Sequence, residues 1–151
     1  MNDFVAKKLG EVHAFSLIGV ECGERAGDAL QRALGTDSDT LKAELDVFAG
    51  VAAGKGNEVT TAKSEKTCDK LRGMMEAYIG DEWDNPVEIL EWLSFFCGAA
   101  AAHWSLVAGA GNAIGDSELQ QSAEQAKDYY LDKLNTVVAR LNEVGSERAK
   151  A

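Results

Sequence analysis

Two histidines, three cysteines and twenty-five carboxylates are the side chains with which this chain could do chemistry. Carboxylates with imidazoles suggest first a metal centre of the kind helical bundles hold in their cores. There a Glu from each of two helices joins a Glu-x-x-His from each of the other two. The carboxylates balance the charge of two ions, and each imidazole fixes the outer face of one. Glu-x-x-His occurs nowhere in this sequence. Glu11-Val12-His13 comes nearest, and its spacing sends the two side chains to different faces of a helix. His13, beside Val12 and Phe15, reads as a helix-surface or boundary residue. His103, set among alanines, reads as a core histidine bonded to a carbonyl or carboxylate. A nucleophile–base pair of Cys97 and His103 fails on geometry, since six residues place them well round a helix from one another and no third group orients them. Cys22, Cys68 and Cys97 are an odd number without C-x-x-C spacing, which predicts reduced, buried thiols in a cytoplasmic protein.

The element that must position His103 is the run LSFFCGAAAAHWSLVAGAGNAIG, Leu93 to Gly115, which carries no charge. A surface helix would show a polar face at every turn, so this run predicts a helix buried nearly all round by others. Its length would span a bilayer. Its alanine and glycine content, its flanking acids Glu88, Glu91, Asp116 and Glu118, and the lack of flanking Lys or Arg speak against that. The formal net charge of −10 speaks against nucleic acid and anionic membranes as partners. At 151 residues, 46% hydrophobic, residues 1–151 read as one domain with a sizeable core. The N-terminus lacks the apolar stretch of a signal peptide.

In chain order, apolar residues at three- and four-residue steps predict a first helix from Asp3 to Leu34, closed by Gly35. A second follows from Asp39 to Ala53 after the capping oxygens of residues 36–39. GKGNEVTTAKSEKT, residues 54–67, reads as a mobile crossover, with Thr67 capping a short helix from Cys68 to Ile79. Asn85-Pro86 is a strong helix start for a third long helix, Pro86 to Ile114. Ser117-x-x-Gln120 reads as a capping box for a fourth, Glu118 to Val144, with a frayed tail. The fold class predicted is all-α, an up-down four-helix bundle with a short extra helix in its middle connection. The two tight turns pair the first helix with the second and the third with the fourth. Surplus apolar residues, notably Leu17, Phe95, Phe96 and Val107, predict a two-fold homodimer.

The chain also resembles the bacterial stress-associated ferritin-like proteins of the YciE/YciF type. The resemblance lies in Val20-Glu21-Cys22, Cys68-Asp69-Lys70-Leu71-Arg72-Gly73-Met74, Asp84-Asn85-Pro86, Gly115-Asp116 and Ala102-His103-Trp104-Ser105. It implies a ferritin-like fold. It does not carry over the di-iron activity, because Ala102 and Ser105 stand where the family has glutamates, and Phe48 and Gly50 where it has histidine and glutamate. Glu21 and His103 match the family's ligand positions, and Glu124 and Asp128 lie near the level of His103 in the last helix. The function expected is therefore that of a binding or assembly module in a stress-type context, without a cofactor, in which Glu21, His103 and Asp128 form a hydrogen-bonded trio. The alternative is an iron- or manganese-binding protein or oxidase using Glu21, His103, Glu124 and Asp128.

Overall fold

The computed structural model describes residues 1–151, and all of its regular structure is helical. The first long helix is broken where the sequence predicted continuity. Gly27 sits at φ +50°, ψ −117°, a conformation that residues with a Cβ avoid. The break divides α1 (Asp3–Ala26) from α2 (Asp28–Leu34). Side chains on both sides of it grip the loop before the next hairpin. The Arg25 guanidinium lies 3.9 Å from the Trp83 ring centroid, and Arg32 donates to the Asp84 carbonyl at 2.9 Å.

The middle of the chain departs further from expectation. α3 (Ser38–Lys55) is capped by Asp37, which accepts from Thr40 N at 2.7 Å. The next helix, α4, then runs from Glu58 to Ile79, so residues 54–67 are the end of α3, a two-residue turn and the first half of a long helix rather than a mobile crossover. Thr67 lies inside it. The N-cap is Asn57, whose side chain accepts from Val59 N and Thr60 N while Thr60 Oγ1 accepts from Asn57 N at 3.1 Å. Thr60 and Ser64 in this stretch are helix-to-helix contacts. Thr60 donates to the Ala6 carbonyl at 2.8 Å, and a Cβ on Gly10 would fall 2.5 Å from the Thr60 carbonyl oxygen. α1 and α4 cross backbone to backbone there.

Asn85 and Pro86 start α5 (Pro86–Ala113) as predicted. α6 (Ser117–Lys150) is capped by Asp116, which accepts from Leu119 N at 3.0 Å, rather than by Ser117, and it stays helical to Lys150. α5 is long and apolar enough to cross a membrane by composition, with a mean hydropathy of 1.3, and 44% of that window is buried against other helices.

The contacts fix the helix directions. Glu11 and Phe15 face His103 and Phe96, so α1 and α5 are antiparallel. Lys55, Phe48 and Glu44 face Asp116, Tyr129 and Lys133, so α3 and α6 are antiparallel. The α1/α3 and α5/α6 pairs also touch, as the short turns require. α4 rises parallel to α1, with Glu21 bonded to Arg72 and Arg25 to Glu76. Where α1, α3, α5 and α6 meet, the interior is aromatic. Trp92, Phe96, Tyr130, Phe48 and Trp104 follow one another at centroid spacings of 6.1–6.2 Å.

Candidate functional site

α3 and α4 both lie on α1 but diverge from one another, leaving a cleft of about 740 Å³ over the exposed strip of α1. That volume falls within the range of small-molecule sites. His13 and Leu17 form its floor and Ala53 its α3 wall. The α4 wall presents Asn57, Thr61, Glu65 and Asp69 to solvent, with Ser64, Cys68 and Arg72 deeper or further along. A recurring step of four residues is what aligns 57, 61, 65 and 69 along one side.

At the base of this wall His13 Nδ1 lies 2.7 Å from Ser64 Oγ, which is buried. Burial holds the His13 pKa below its ordinary range, so the imidazole there is neutral at pH 7. The pair resembles a base with a nucleophile, but the backbone N–H groups around Ser64 are engaged in the α4 ladder. None is free to receive an oxyanion. Burial likewise pushes the Cys68 thiol up, against the smaller opposing effects of Ser64 and Arg72. This is a polar recess rather than an activated nucleophile.

The electrostatics of the cleft are acidic. Arg72 Nε bonds both Glu21 oxygens at 2.9 and 3.1 Å, and its Nη1 bonds Asp69 at 3.2 Å. Lys63 pairs with Glu11. The nearby cations are thus engaged, and Glu65 faces the cleft without one. The α4 N-terminus, a natural anion site, is already occupied by the Asn57 side chain.

The residues singled out as possible metal ligands do not come together. Glu21 is held by Arg72 on the outer side of α1. His103 Nδ1 lies 2.7 Å from the Ala99 carbonyl oxygen, and so carries the hydrogen, while Nε2 is 3.8 Å from Glu11. Glu124 pairs with Lys127, and Asp128 is largely exposed beside the same lysine. The expected trio of Glu21, His103 and Asp128 is replaced by these three separate pairings. Nowhere do three or more His, Cys, Asp or Glu side chains converge closely enough to hold a metal ion. The donor set therefore does not fit a di-iron centre, and the interior that would surround one is filled by the aromatic series. Cys22 and Cys97 are buried thiols whose pKa values burial pushes up to about 12.

No family model matches this chain, and neither a curated protein nor a solved structure is significantly similar to it. The functional reading therefore rests on geometry. The sequence reads His13 as a helix-surface or boundary residue and does not join it to Ser64. The signal available was the four-residue recurrence of small polar residues, Thr60, Ser64 and Cys68, which also marks a helix that can approach glycine closely.

Proposed function

We propose that this protein is a ferritin-like helical bundle without a di-iron centre, acting as a binding module that takes a small organic cation in the cleft between α3 and α4. The ferritin-like part is supported by the antiparallel neighbours α1, α3, α6 and α5, joined by one long connection that α4 fills. The observation that carries the ligand class is Glu65 facing a roomy cleft without a cation, while Arg72 of the same wall is held by Glu21 and Asp69. An ammonium group on Glu65 supplies the missing charge, with Asp69, already bonded to Arg72, one turn along as a further acceptor, and a short aliphatic part covers Leu17, which is 41% exposed, and Ala53. The net charge of −10 raises the local concentration of cations further. Binding rather than turnover is favoured by the absence of oxyanion donors beside Ser64.

The test is titration with 1,4-diaminobutane and with a monoamine of equal length, followed by amide chemical shifts. The expected result is saturable shifts at Thr61, Glu65 and Asp69 that disappear in Glu65→Gln/Asp69→Asn. Shifts scattered evenly over all acidic surfaces, or none, would overturn the reading.

A further inference from the structure

The outer face of α5 carries a second stripe that the monomer leaves uncovered. Phe95, Ala99, Ala102, Leu106, Gly109 and Ala113 follow at steps of four, three, four, three and four residues. That is the spacing of a coiled-coil seam. All but the half-buried Ala99 are exposed, Phe95 by 60% and Leu106 by 39%. Such a seam on a lone helix normally faces a partner, because charged or polar residues would otherwise occupy it. Here α5 carries no charged residue from Trp92 to Gly115.

We infer that this seam pairs with the same seam of a second copy, antiparallel about a two-fold axis that lies between Ala102 and Leu106. In that register every layer sets a large residue or a small one against a residue that leaves room for it. Phe95 covers Ala113 of the partner subunit, Leu106 covers Ala102 of the partner subunit, and Ala99 meets Gly109 of the partner subunit. Small residues at the remaining positions let the helices approach to the short end of the usual 8–10 Å separation. Two-fold packing also brings like flanks together. The flank beside α4 adds the apolar hollow of Met74, Ala77, Tyr78, Trp92 and Phe95, a space of about 450 Å³. The seam runs about 27 Å along the helix. With the hollow it offers enough apolar surface to approach the roughly 1,000 Å² that a specific pair must bury. For a chain of charge −10, the layers from Phe95 to Ala113 themselves hold no carboxylate, and the acids Glu91 and Asp116 stand beyond their two ends.

Sedimentation velocity over a concentration series tests this, with helicity measured by circular dichroism on each variant. Wild type is expected to pass from monomer to dimer. Ala102→Glu, on an exposed position, should keep its helicity and weaken association by about a hundredfold or more, since it buries a charge in the seam. Val47→Glu, on the exposed face of α3, should leave association unchanged. Mixing Ala102→Glu with Leu106→Lys should restore a heterodimer, because this register alone sets the two charges opposite one another. A wild type that stays monomeric, a dimer indifferent to Ala102→Glu, or a mixture that does not pair would each overturn the inference. A monomer that instead binds neutral lipid vesicles, and loses that binding in Ala102→Glu, would give the face to a membrane and overturn it equally.

Discussion

His13 shows how one side chain comes to report on packing. It lies under α4 against Ser64, and partial loss of water favours the neutral imidazole in the folded state. The unfolded chain therefore takes up a proton at a higher pH than the folded one. The stability this contributes is present above the unfolded value of about 6.5 and is lost as pH falls through it toward the folded pKa. The thermal midpoint is expected to fall between pH 7.5 and pH 5.5, and His13→Asn, which keeps a polar atom near the Nδ1 position, should flatten that part of the profile. An unchanged slope in the variant would separate His13 from the effect. At this scale the sequence was a poor guide. The reading of His103 as bonded to a carbonyl holds through Ala99, though its ring is 38% exposed rather than in the core. The partner of Glu21 depended on α4 lying along α1, and the approach of Glu11 to His103 on α5 lying against it. Arg72 and Glu11 are fifty-one and ninety-two residues away from those partners, beyond what local spacing can reveal.

Among the elements, glycine decides most. Gly10 lets the α1 and α4 backbones touch, with an added Cβ 2.5 Å from the Thr60 carbonyl and 3.0 Å from Ser64 N. Neither neighbour is a flexible side chain, so Gly10→Ala is expected to destabilise by about 1–3 kcal/mol through overpacking. Gly27→Ala gives a sharper test of the helix break. A continuous helix from Asp3 to Leu34 would gain stability from alanine, whereas a residue held at φ +50° should lose about 1–2 kcal/mol. Gly73 has nothing within 4 Å of an added Cβ and lies inside α4, so Gly73→Ala should gain up to about 1 kcal/mol. Chemical denaturation of the three variants reads all three signs. The long apolar stripes and the Asn85-Pro86 start were legible because periodicity and capping are local. The first half of α4 was not, because its Thr, Ser and Lys composition, just after Gly54 and Gly56, resembles a loop until α1 is set against it.

For the whole molecule, the two tight turns were enough to predict the α1/α3 and α5/α6 pairs, which the structure contains. They could not say what fills the space between the pairs, and that decides whether a metal belongs there. Phe48, at one of the positions where the resemblance expected a ligand, packs its ring 5.1 Å from Tyr129 and 6.1 Å from Trp104. Two irons about 3.5–4 Å apart need carboxylates that bridge them, and here the carboxylates face outward into ion pairs. A ligand that binds only the folded state stabilises it in proportion to the logarithm of its concentration over Kd. About 1 mM Mn(II) on a micromolar site would contribute about 4 kcal/mol, or about 8–16 °C for a chain of this size. The expected shift with Mn(II), or with Fe(II) under anaerobic conditions, is smaller than the roughly 2–4 °C that 1 kcal/mol would give. Metal content after desalting should be well below one ion per chain. A shift of the larger size that Glu21→Ala abolishes would mean that Glu21 leaves Arg72 to bind metal, and would give this protein a metal-binding role.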